Sequence, residues 1–132
     1  MDERLITILN DIERYFNDIK RLGINKQEDL KNVANYYAAS MLLFSLLNRI
    51  IDLAQQVVIA KSLGMPVSYK DTFRILFENG LIDKRTFEQL KKFVELRNAL
   101  SHEYYRIEHK DIFEALQKSG GLRAFVEKMK KM

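Results

Sequence analysis

The 132-residue chain is 47% apolar and 30% charged, a balance that excludes a disordered segment and fits a single domain spanning residues 1–132. It has no cysteine, so disulfides, thiolate catalysis and cysteine-type zinc sites are excluded. The net charge is +4, all of it in the second half: residues 1–64 carry 8 basic and 8 acidic side chains, and residues 65–132 carry 14 and 10. That bias suits a polyanionic partner without specifying one. One proline and five glycines leave long unpunctuated stretches, which favours helices, and the pattern predicts no strand.

No basic start leads into an apolar secretory segment. The most apolar run, residues 36–60, carries Arg49 and Asp52 near its middle, which argues against a membrane span. A reducing cytoplasmic setting is the expectation.

A first helix is expected over residues 2–22. Leu5, Ile8, Leu9, Ile12, Tyr15, Phe16, Ile19 and Leu22 recur at three and four, and Gly23 supplies a stop. Asn25 and Glu28 have capping-box spacing, which predicts a long second helix running on to Ser62. Its polar positions Ser45, Asn48, Arg49, Asp52, Gln55 and Gln56 form a seam. That seam faces either solvent or, in a sharper reading, a polar cleft or a symmetry partner. In the second case Arg49 and Asp52 must pair.

Ser68 or Asp71 starts a short third helix holding Phe73, Leu76 and Phe77, and Asn79-Gly80 ends it. Asp83 caps a fourth helix that carries Phe87, Leu90, Phe93, Val94 and Leu100 towards the core and ends around the run Arg97 to Tyr104. A fifth, short helix is expected over residues 108–118. Gly120-Gly121 separates it from a basic terminal helix or frayed tail over residues 122–131. The second helix is apolar on nearly all sides, more than a thin bundle covers, so a homodimer is expected.

Chemistry concentrates in Arg97-Asn98-Ala99-Leu100-Ser101-His102-Glu103-Tyr104. On an ideal helix Arg97, Ser101 and Tyr104 share a face, whereas His102 lies about 140° round from Arg97. Arg97 and His102 therefore meet only if the helix ends or loosens near His102 or if two chains supply them. A histidine able to exchange a proton at cellular pH and a permanently charged arginine that grips phosphate oxygens suffice for RNA cleavage without a metal. The only other histidine, His109, sits in a charged segment with no evident partner. Structural readings stand beside these: His102 as a helix-end residue, Arg97 as an ion-pair partner of Glu95, Tyr104 and Tyr105 as packing aromatics.

The run Phe93 to Tyr104, containing R-N-x-x-x-H-x-Y, resembles the signature of HepT-like toxins of the HEPN superfamily. Tyr36-Tyr37-Ala38 through Arg49 to Ala54 is similar to that family's long second helix. Pro66-Val67-Ser68-Tyr69 and Gly80-Leu81-Ile82 are similar to the connections that follow. The resemblance implies an all-α helical bundle, homodimeric, acting as a metal-independent endoribonuclease toxin of a type VII-like toxin–antitoxin pair. It implies catalytic roles for Arg97 and His102 at a cleft between protomers. It implies AMP addition to Tyr104 by a minimal nucleotidyltransferase (MNT-type) antitoxin, with Tyr105 as the neighbouring alternative. Asn98, Ser101 and Asp52 are implied as site-lining groups, and no cofactor or metal is implied. The alternative is an inert module of the same fold that binds a nucleotidyltransferase partner or a nucleotide. A helical dimer with no site is the third reading.

Overall fold

The computed structural model describes residues 2–102 and 106–132. Among them the chain is all helical: α1 (Glu3–Leu22), a 3-10 turn (Gln27–Lys31), α2 (Val33–Ala60), α3 (Tyr69–Glu78), α4 (Lys84–His102) and α5 (His109–Lys130).

α1 begins where the Asp2 carboxylate accepts the Leu5 N–H at 2.8 Å. It stops at Gly23, whose φ of 69° is the left-handed geometry that a side chain disfavours. Its stripe of Ile8, Ile12 and Phe16 is buried against α2.

The expected second helix starts late. Asn25 does not cap it. The Asp29 carboxylate instead accepts the N–H groups of Asn25 at 2.9 Å and Lys26 at 3.1 Å, closing a tight turn that drops Leu30 fully into the core. Asn32 is the actual cap, its Oδ1 accepting the Asn35 N–H at 3.1 Å. The 28 residues that follow make a rod of about 42 Å, shorter than residues 25–62 would give.

α2 is the axis of the bundle. It touches α1, α3, α4, α5 and the 3-10 turn, and Leu43, Leu46, Leu53, Ala54 and Val58 are almost completely buried. By length and hydropathy this helix could cross a membrane, but its apolar run is accounted for by neighbours on several sides.

Ser68 Oγ caps α3 through the Asp71 N–H at 3.0 Å. The Asp71 carboxylate ties back to the Val67 N–H at 2.9 Å and pairs with Arg74. Asp83 caps α4, its Oδ1 accepting from Thr86 at 2.7 Å.

The two expected C-terminal segments are one helix. α5 runs unbroken through Gly120-Gly121, and neither glycine adopts a positive φ. Leu122, Phe125, Val126 and Met129 are buried beyond the pair, so packing offsets the roughly 1 kcal/mol per glycine that helix propensity costs. α5 lies on α2 and the 3-10 turn, and Phe125 meets Phe73 edge-on at 5.9 Å.

Candidate active site

The polar seam of α2 divides between two neighbours. Arg49 reaches Asp11 on α1 (Nη2 to Oδ2, 2.7 Å) and Asp52 one turn on (3.1 Å). These carboxylates, Asp11 foremost, raise the Arg49 guanidinium further above its already high value, against the opposing effect of burial. Arg49 and Asp52 therefore do pair, each about one-third exposed, and it is the Arg49–Asp11 contact that ties α2 to α1.

Asn48 turns the other way. Its Oδ1 accepts the Arg97 Nε–H at 2.6 Å, a short charge-assisted bond between α2 and α4. Arg97 Nη1 donates to Asn98 Oδ1 at 3.3 Å. The guanidinium carbon also lies 4.8 Å from the Tyr69 ring centre and 5.2 Å from that of Phe44. Two side-chain oxygens and two aromatic rings thus hold a half-buried cation whose remaining three N–H groups have no partner among the described residues. Glu95 is not its partner, since it pairs with Lys70 at 3.0 Å.

His102 is the last residue of α4 and is exposed, as is Ser101 beside it. The helix stays regular to that point, so His102 keeps its rotation of about 140° from Arg97. α4 ends at His102, so the helix end and a second chain remain the two routes to a meeting of Arg97 and His102. Tyr104 and Tyr105 lie outside the described residues.

His109 has a neighbour after all. Its ring lies 5.2 Å from that of Tyr36, which also meets Tyr37 edge-on at 5.4 Å. The Tyr36 hydroxyl donates to the Ile107 carbonyl at 2.8 Å, fastening the α4–α5 connection to α2, and burial pushes the phenol's pKa up. Sequence reading quoted Tyr36 and Tyr69 and placed Asn48 in the seam, yet gave none of them, nor Phe44, a role around Arg97 or the connection. The available signal was spacing: Phe44 and Asn48 are four apart and share a face of α2.

Two grooves flank α4. One, of about 500 Å³, separates it from α5 on a different helix face from Arg97. Its apolar floor is rimmed by Lys92, Arg106 and Lys118 and equally by Glu95, Asp111 and Glu114. The other, of about 420 Å³, lies between the start of α2 and the end of α4, and Phe44 is part of its wall. Among the described residues no three His, Asp or Glu side chains converge as a metal site.

A family model described as ribonuclease HepT-like matches residues 7–131. The chain belongs to the HepT-like family. This HepT-like chain is 39% identical over 57 residues to the mRNA nuclease HepT of Shewanella oneidensis, a match covering 43% of each protein, less than half of that relative's length. Its fold matches a solved structure of tri-AMPylated Shewanella oneidensis HEPN toxin in complex with MNT antitoxin, with TM-score 0.89, 24% identity and all of both chains covered. It also matches YutE of Bacillus subtilis, described as a cytosolic protein of unknown function, with TM-score 0.80 and 18% identity over 98% of this chain and 89% of that one. At these identities the structural likeness is one of fold, and it fits the five-helix bundle described above.

Proposed function

We propose that this HepT-like chain is a metal-independent endoribonuclease, the toxin of a toxin–antitoxin pair, acting in the cytoplasm as a homodimer. The observation that carries the reading is the Arg97 guanidinium, held by Asn48, Asn98, Phe44 and Tyr69 with three N–H groups to spare among the described residues, five residues before an exposed imidazole.

In this reading Arg97 grips the non-bridging oxygens of the scissile phosphate. His102 removes the ribose 2′ proton, and the 2′ oxygen forms a bond to phosphorus as the bond to the 5′ oxygen breaks. The leaving oxygen takes a proton from His102 of the partner subunit, leaving a 2′,3′-cyclic phosphate and a 5′-hydroxyl. A two-fold axis supplies that second imidazole. The dimer is supported by apolar side chains left bare. Ile59 lies in the last turn of α2, and Met65 and Val67, about nine-tenths exposed, lie in the loop that returns to Tyr69.

Regulation follows the partner named for the related toxin. An MNT-type nucleotidyltransferase transfers AMP to the Tyr104 hydroxyl, with Tyr105 as the alternative acceptor, and pyrophosphate leaves. The added phosphate places negative charge and bulk beside His102, where RNA must enter.

Purified protein incubated with RNA in EDTA tests the reading. Cleavage that disappears in both Arg97→Ala and His102→Ala is the expected result. A well-folded protein that leaves RNA intact sinks it, and capture of the nucleotidyltransferase by such a protein indicates the inert binding module instead.

A further inference from the structure

The smaller groove has the composition of a site for a flat, uncharged, polar-edged ligand. Its back is Tyr36, held in place by Ile107 and His109. Its outer edge is Tyr37, more than half exposed, with Met41 beside it at 62% exposure. Two hydroxyls, from Ser40 on α2 and Ser101 on α4, line it. Ser40 is 9% exposed, its Oγ sealed from solvent beside the Tyr36 phenol, so the accessible serine of the groove is Ser101.

The groove also shares a wall with the phosphate-gripping group. Phe44 lines it and carries the Arg97 guanidinium 5.2 Å from its ring centre. Ser101, on the opposite side, directly precedes His102. At about 420 Å³ the space falls within the 300–1,000 Å³ that small-ligand pockets occupy. A neutral aromatic cleft adjoining one fixed cation matches one nucleotide, with its base in the cleft and its phosphate outside on the cation. The larger groove has no such match, because its rim balances three cations against three carboxylates.

We propose that the Tyr36–Tyr37–Ser40–Phe44–Ser101 groove seats one RNA base, that of the nucleotide whose phosphate Arg97 grips. Seated there, the base stacks on the exposed Tyr37 ring, its edge engages the Ser101 hydroxyl, and base identity contributes to where the strand is cut. The inference rests on the ribonuclease reading for its ligand class, but its test is binding, which is separate from cleavage.

The ¹⁵N-labelled full chain is titrated in EDTA with each of the four ribonucleoside 3′-monophosphates and, separately, with inorganic phosphate. The nucleotides are expected to shift the amides of Tyr37, Ser40 and Ser101 together with the Arg97 Nε–H signal, whereas phosphate shifts Arg97 alone. Tyr37→Ala and Ser101→Ala, both at exposed positions, are each expected to weaken nucleotide binding about fivefold or more and to leave phosphate binding unchanged. Nucleotides that reproduce the phosphate pattern overturn the proposal, as do variants that bind like wild type. So do groove shifts that follow protein concentration instead of nucleotide, since these mean that a second copy fills the space. Cleavage by a protein with the phosphate-only pattern removes the base subsite and leaves the nuclease intact. The full nucleotide pattern without cleavage supports the subsite and counts against the nuclease.

Discussion

Asn48→Ala separates a held arginine from a merely present one. The wild-type Asn48 oxygen accepts the Arg97 Nε–H at 2.6 Å. A hydrogen bond to a charged group contributes on the order of 1.5–3 kcal/mol. Phe44 and Tyr69 still touch the guanidinium in the variant, so the lower end applies, about 1.5 kcal/mol. If that amount is lost from the transition state, kcat/KM for RNA falls about tenfold. The assay is metal-free cleavage of a fluorogenic oligonucleotide, with circular dichroism and light scattering showing the same fold and assembly. Because Asn48 acts through Arg97, adding Asn48→Ala to Arg97→Ala should cost nothing further. Asn48→Asp keeps an acceptor but sets a negative charge against the cation, so it should raise KM more than Asn48→Ala does. Unchanged kcat/KM in Asn48→Ala, alongside a dead Arg97→Ala, refutes the reasoning.

Other expected outcomes concern stability. Leu46 is fully buried in α2, so Leu46→Ala should cost about 3 kcal/mol and lower the thermal midpoint by roughly 10 °C in calorimetry. Gly120 has open space where a Cβ would sit and no positive φ, so Gly120→Ala should stabilise by about 0.5–1 kcal/mol, while Gly23→Ala, at φ 69°, should destabilise. Asp29, Asp71 and Asp83 are held below the ordinary carboxylate range, chiefly by the backbone N–H groups of Asn25, Val67 and Thr86 respectively. Their contribution is complete above about pH 4 and is lost as pH falls through the lowered folded-state values. Urea midpoints measured from pH 6 downward should fall less steeply at the acid end in Asp71→Asn and Asp83→Asn than in wild type.

The helices that a local signal specifies were legible from sequence. The stripe of α1, its stop at Gly23, and the caps at Ser68 and Asp83 each depend on residues within one turn of one another. The two misread boundaries depend on distant packing. Asn25 and Glu28 have capping spacing, but Asp29 takes the backbone N–H groups and Leu30 goes to the core. Gly120-Gly121 has the composition of a break, but four buried side chains beyond it keep α5 continuous. The candidate site divides in the same way. Arg97 and His102 stood out by chemical type and spacing. The groups that hold Arg97 are 49 residues away at Asn48 and 28 away at Tyr69, a distance no local pattern reports. Asp52 shared the seam with Asn48, yet its partner is Arg49 on its own helix, while Asn48 reaches across to Arg97.

The claim at the centre is that a ribose 2′-hydroxyl, deprotonated by His102, is the nucleophile. The most direct measurement replaces the single ribose 5′ to the cut phosphate by 2′-deoxyribose in an otherwise unchanged oligonucleotide and follows cleavage in EDTA. The account predicts that this phosphate resists the enzyme while unmodified strands yield a 2′,3′-cyclic phosphate end. Cleavage of the deoxy position at the wild-type rate would contradict it.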